Sequence, residues 1–202
     1  MKLAVVNLKG GSGKTISSFF LATALSRRGR TLLVDCDPQG SALSWAEGAE
    51  EDGGALSFAV MGLPVKDSHK RVRAFEGDYE YIVYDTPPGE LLIARSALLG
   101  ADVALVAIPP TLIDLDRVLP TLELVADVED MTGLSFYVLL TRSRRISREG
   151  KDARAAMEEM ELPILRTEIP ELGRYSGAFG ARIEDTGDYE SVARELLGEE
   201  VS

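Results

Sequence analysis

The sequence predicts an α/β fold: a mostly parallel, doubly wound sheet with helices on both faces. Three observations carry it. Short runs rich in Val, Ile and Leu recur along the chain, apolar on both faces as buried parallel strands are. Segments with helical spacing alternate with them, the pattern of strand–helix–strand units. The first apolar run enters a glycine-rich loop, LKGGSGKT at residues 8–15, directly before a helical pattern.

Strands are expected at 3–7 (LAVVN), 31–35 (TLLVD), 80–85 (EYIVYD), 102–108 (DVALVAI), 135–140 (SFYVLL) and 164–168 (ILRTE). Helices are expected at 14–28, 65–75, 90–99, 114–129, 149–160 and 188–197. Residues 44–64 are rich in glycine and acids and read as a loop holding at most one short strand. No internal repeat and no long linker interrupts the series, so one domain is expected over residues 1–202.

Composition excludes several classes. A formal net charge of −11 rules out a uniformly basic nucleic-acid-binding surface, though not a local basic patch. The single cysteine, Cys36, cannot form an internal disulfide or a self-contained cysteine metal site, and fits a reducing cytoplasm. No stretch approaches the ~18–20 apolar residues of a membrane span. The N-terminal apolar run is short and enters the glycine loop at once, so neither a signal peptide nor a domain before Lys9 is expected.

The loop at residues 8–15 has the chemistry of a phosphate cradle. Gly10, Gly11 and Gly13 let backbone N–H groups turn inward around an anion, and the N-terminal end of the following helix adds its positive field. Lys14 then reaches the terminal phosphates and the Thr15 hydroxyl ligates Mg²⁺. The common pattern G-x-x-x-x-G-K-[ST] would place glycine where Leu8 stands, and a second lysine, Lys9, sits inside the loop.

KGGSGKT resembles the deviant Walker A motif, [KR]-G-G-x-G-K-[ST], of the ParA/MinD family of P-loop ATPases. Three further stretches match in order: LLVDCDPQGSAL (32–43) as switch I, YEYIVYDTPPG (79–89) as Walker B and switch II, and LLTRSRR with TEIPELGRY as the base pocket. The resemblance implies ATP/ADP and Mg²⁺ as cofactors. It implies a homodimer with ATP at the interface, in which Lys9 reaches the phosphates bound by the partner subunit. The nucleotide-binding set it implies is Lys9, Gly10, Gly11, Ser12, Gly13, Lys14, Thr15 and Ile16, with Thr141, Arg142 and Pro170 around adenine. Thr15, Asp37 and Asp85 are implied around the metal, with Asp35 supporting that shell and Thr86–Gly89 sensing the γ-phosphate. Lys9, Lys14 and Asp37 are implied as catalytic, Asp37 positioning the attacking water. Two departures stand out: Ile16 follows GKT where many relatives have Thr, and Glu171 follows the late Ile-Pro where many have a basic residue.

Members of such a family do different work. The acidic tail DYESVARELLGEEVS lacks the basic and bulky apolar faces of a membrane-surface helix, and a lone Cys36 between two aspartates suits no iron–sulfur cluster. TRSRRISREGKDAR (141–154) concentrates Arg142, Arg144, Arg145, Arg148, Lys151 and Arg154, a patch suited to DNA phosphates without base reading. The resemblance to short ParA proteins implies plasmid or chromosome segregation on non-specific DNA, with a ParB-like centromere-binding partner that stimulates hydrolysis. It also implies a cytoplasmic, nucleoid-associated location. The alternatives are a positioning ATPase for another cargo, such as a DNA-transfer or chemosensory assembly, and a dethiobiotin synthetase-like small-molecule enzyme.

Overall fold

The computed structural model describes residues 1–51, 53, 55–144 and 148–199. Its strands are β1 (Lys2–Val6), β2 (Thr31–Asp35), β3 (Ala59–Gly62), β4 (Tyr81–Asp85), β5 (Val103–Ile108) and β6 (Ser135–Leu140). They form one parallel sheet in the order β3-β2-β4-β1-β5-β6. The helices are α1 (Lys14–Ser26), α2 (Ser41–Glu51), α3 (Ser68–Val72), α4 (Leu91–Leu99), α5 (Leu112–Thr132), α6 (Arg148–Glu159), α7 (Gly173–Ser176) and α8 (Asp188–Leu197). The expected α/β architecture is therefore present, with a 3₁₀ turn at Arg73–Phe75 extending α3.

Successive side chains of a strand point to opposite faces, so each strand feeds two cores. Leu3, Val5, Leu33, Val83 and Leu105 pack with Phe19, Leu21 and Trp45 on one face. Ala4, Val6, Val34, Ile82 and Val106 pack with Ile93, Leu98, Val125 and Val128 on the other. The chain enters β1 in the middle of the sheet, and the loops after β1, β2, β4, β5 and β6 all leave its carboxyl edge. In open parallel sheets that edge is where ligands bind.

Two expectations fail for physical reasons. Residues 44–64 hold the expected short strand, β3, but also most of α2, which the glycines and acids concealed. Tertiary contacts hold α2: Trp45 is buried and stacks on Phe19 with ring centroids 4.2 Å apart. Asp35 Oδ2 accepts from Ala42 N at 2.9 Å and Leu43 N at 3.0 Å, supplying the helix start with an acceptor from another element. Gly48 gives the close approach, since a Cβ there would sit 3.0 Å from Gly180 Cα.

Residues 164–168 follow β6 but form only a bridge, Val138 to Ile164. Leu165 N and Ile169 N donate to Val138 O and Leu140 O, whereas Arg166 N and Thr167 N both turn to the Glu195 carboxylate at 2.8 Å. A side chain has taken the donors a strand would need. The apolar face of α8 is consumed in the same way: Tyr189, Val192 and Ala193 are buried in the core that contains α1. Among the described residues no helix is long and apolar enough to cross a membrane.

Candidate nucleotide site

The loop between β1 and α1 turns on Gly11 (φ 76°) and Gly13 (φ 87°), left-handed conformations that a side chain disfavours. Gly13 is the residue immediately before α1, whose first residues are Lys14 and Thr15. The loop is braced from three sides. Leu8 N donates to Thr121 Oγ1 (3.0 Å) on α5, Gly89 N donates to Leu8 O (2.9 Å), and Thr141 Oγ1 donates to Ser12 O (2.8 Å). Asn7 completes the frame, donating to Ala107 O while accepting from Lys9 N.

A cleft of about 460 Å³ opens beside the loop. It is lined by Gly10, Gly11, Ser12, Gly13, Lys14, Thr15, Ile16 and Asp37, by Thr141 and Arg142 beside the loop, and by Ile169, Pro170, Leu172 and Tyr175. That size and that mix of glycine backbone and apolar side chains suit a nucleotide, with phosphates against the glycines and the base against the apolar residues. The structure thus brings together every residue expected around phosphate and base except Lys9. Thr141 lines the cleft, with its hydroxyl donating to Ser12 O. Arg142 adopts a left-handed backbone (φ 54°) at the rim, with its guanidinium donating to Glu171 (3.1 Å) and, at 3.4 Å, to Gly11 O.

Lys9 lines an adjoining cleft that shares Gly10, Gly11, Arg142 and Glu171 with the first and adds Pro109, Pro110, Thr111, Asp114, Arg144 and Glu149. Its ammonium is ion-paired with Asp114, the third residue of α5. Lys14 points inward: burial lowers its pKa, opposed by the nearby charges of Asp85 and Asp37.

The donor set at the end of β4 fits Mg²⁺. Asp85 is fully buried, Ser18 Oγ donates to its Oδ1 at 3.0 Å, and its Oδ2 has no hydrogen-bond partner among the described residues. A buried carboxylate oxygen without a partner is costly, and a hard cation with oxygen ligands would satisfy it. Thr15 and Asp85 would hold the ion, with Asp37 near its water shell. Asp35 also shapes switch I: its Oδ1 accepts from Asp37 N (3.0 Å) and its Oδ2 from the start of α2.

Burial pushes the Asp85 carboxyl from 3.8 up to about 7, with Asp35 adding to the rise and Thr15, Ser18 and Lys14 opposing it. Between about pH 4 and 7 the folded, nucleotide-free chain therefore holds a proton that the unfolded chain has lost, so its stability falls as pH rises through that window. Asp85→Asn is expected to flatten this slope in urea denaturation without nucleotide or Mg²⁺. An unaltered slope would assign the proton to another group.

The basic segment is more paired than its sequence suggests. Arg142 and Arg144 share Glu171, Arg144 at 2.6 Å. Arg154 sits between Glu168 (2.6 Å) and Glu158 (2.9 Å), and exposed Arg148 lies 3.9 Å from Asp152. Arg145 lies outside the described residues. Arg166, outside the basic run 141–154, lines a small cleft with Arg144, Lys151 and Arg154. Asp114 too is outside the expected site set, although Thr111-Leu112-Ile113-Asp114 has the Thr-x-x-acid spacing of a helix start.

A parallel sheet of this order, with a glycine-loop cleft and a buried Walker B-type aspartate at its carboxyl edge, defines a P-loop nucleotide-binding protein. The chain belongs to the CobQ/CobB/MinD/ParA nucleotide binding domain family, whose model matches residues 3–180, and within it to the ParA/MinD type of ATPase. It is 36% identical over 169 residues to "Maintenance of carboxysome distribution protein A" of Gloeobacter kilaueensis, covering 83% of this chain and 75% of that one. The protein of the same name from Halothiobacillus neapolitanus is 27% identical over 178 residues, covering 87% of this chain and 82% of that one. Among solved structures, an ATP complex of a Cyanothece McdA variant superposes with a TM-score of 0.80 at 21% identity, covering 100% of this chain and 97% of that one.

Proposed function

We propose that this chain is an ATP-switched positioning ATPase: a single domain that pairs on ATP, holds non-specific DNA while paired, and is released by hydrolysis at its cargo. The observation that carries this reading is the position of Lys9. A cation that lines the cleft beside its own nucleotide cleft, with its side chain 30% exposed, is suited to phosphates brought by another molecule. Exposed Leu91 and Leu92 begin α4, and exposed Leu112 and Ile113 begin α5, the helix that carries Asp114; this is apolar surface that a second copy would cover.

In the paired state Lys14 and the partner's matching lysine neutralise charge on the transferred phosphoryl group, and Asp37 orients the attacking water. Thr15 and Asp85 would hold Mg²⁺, which would supply Lewis-acid charge stabilisation at the phosphates. Slow intrinsic turnover, raised by a cargo-borne partner, makes the pairing a timer.

For the cargo, relatives named for carboxysome distribution favour a cellular assembly over the plasmid or chromosome expected from the sequence. The ParB-like partner gives way to a cargo-borne adaptor of unspecified class. A cytoplasmic location on the nucleoid follows from the DNA-holding role.

The DNA surface is assigned to Arg144, Arg148 and Lys151. Arg142 belongs to the cleft rim and Arg154 to its two glutamates. The test is retention of the ATP-loaded protein on DNA of unrelated sequences. Arg144→Ala with Arg148→Ala is expected to weaken retention on all of them and to lower the log–log salt slope by about one per lost phosphate contact. Undiminished retention would show the segment to be a solvated helix face.

A further inference from the structure

We propose that Asp114 is a positioning residue that holds Lys9 in cis and so sets the threshold at which nucleotide drives pairing. This rests on the reading of Lys9 as the trans cation. Three observations carry it. The Asp114 side chain is only 10% exposed, and its ion pair occupies the ammonium that must otherwise reach across to a partner. The carboxylate is itself fixed: Thr111 Oγ1 donates to Asp114 Oδ2 at 2.7 Å and accepts from Asp114 N at 3.0 Å, in the first turn of α5. The same helix holds the phosphate loop through Thr121 and Leu8 N, so loop and counter-ion move as one frame.

The start of α5 carries the exposed Leu112 and Ile113, so a second copy closing over this face meets the ion pair at the same moment. Lys9 can serve the partner's nucleotide only by leaving Asp114. A triphosphate with several negative charges can win that exchange against one carboxylate. A diphosphate, lacking the γ-phosphate, offers Lys9 less and leaves it with Asp114. The ion pair therefore sharpens the distinction between the two nucleotide states, in addition to whatever the switch loops sense.

Asp114→Asn removes the charge while keeping an acceptor for the Thr111 hydroxyl, so the helix start is retained. Sedimentation would be followed against protein concentration, with a non-hydrolysable ATP analogue and Mg²⁺. Each dimer has two such partly exposed pairs, each a few-fold effect, so the midpoint of pairing should fall about tenfold. Asp114→Glu, which restores the charge, should stay near the parent chain, and nucleotide affinity of the monomer should be the same in all three. A midpoint for Asp114→Asn that is unchanged or higher overturns the proposal. Lys9→Ala in parallel separates the causes: if it pairs like the parent, the trans-lysine reading has failed and takes the proposal with it. If it fails to pair while Asp114→Asn matches the parent, only the counter-ion role is lost.

Discussion

Lys9→Ala is expected to abolish ATP-dependent pairing while leaving most of the monomer's nucleotide affinity. The asymmetry follows from the two clefts. Gly10 through Ile16 line the nucleotide cleft and are untouched by the substitution, whereas Lys9 lines the neighbouring cleft with Asp114. Each dimer would lose two charge-assisted contacts at about 1.5–3 kcal/mol apiece, or about 3–6 kcal/mol together. That corresponds to roughly 10²–10⁴ in the dissociation constant, enough to move pairing beyond micromolar protein. Light scattering with ATP and Mg²⁺, beside a nucleotide-binding titration, reads the two quantities separately. Parallel loss of both would mean that Lys9 serves its own subunit's phosphates, and unchanged pairing would mean that it serves none.

The parts of this site that could be read from the sequence are those built by neighbours in the chain. A phosphate loop is a local device: a strand, three glycines that permit left-handed turns, a lysine and a helix start fall within residues 2–26, so spacing alone announces it. Asp85 was legible because an acid ending an apolar strand is a local pattern too. Its orphaned Oδ2 was not, since that depends on Ser18 and on complete burial. The roles of Asp35 and Asp114 depend on partners distant in the chain or across a turn. Asp35 reads from the sequence only as a support of the metal shell; its hold on the amides of residues 37, 42 and 43 is visible in the structure alone.

Charge clusters mislead for the same reason. Six basic residues within 141–154 look like a free patch when counted along the chain, but Glu158 on the next turn of α6 and Glu168 and Glu171 from the following segment neutralise much of it. Likewise α2 is weakly helical by composition and is held by Trp45 against Phe19, a pairing no local window contains. Burial and long-range partners, not propensity, decided each of these cases.

Asp37→Ala is expected to separate pairing from turnover in the opposite sense to Lys9→Ala, giving a dimer that forms on ATP and persists. Asp37 stands in the nucleotide cleft on a turn fixed from both sides. Its N–H donates to Asp35 Oδ1, and its own Oδ1 accepts from Gln39 N at 2.9 Å. Removing the carboxylate leaves the Asp35 anchor and the start of α2 intact, because those bonds use backbone amides that alanine retains. Binding should therefore survive while the group that orients water is lost, a contribution of about 10²–10⁴ in rate. The expected result is phosphate release reduced at least about 100-fold, with dimers that outlast a chase of excess ADP. DNA retention should become correspondingly long-lived, since release depends on hydrolysis. Phosphate release at the parent rate would remove Asp37 from the reaction. Loss of pairing together with hydrolysis would instead make it a support for the switch I turn, with the water held elsewhere in the cleft.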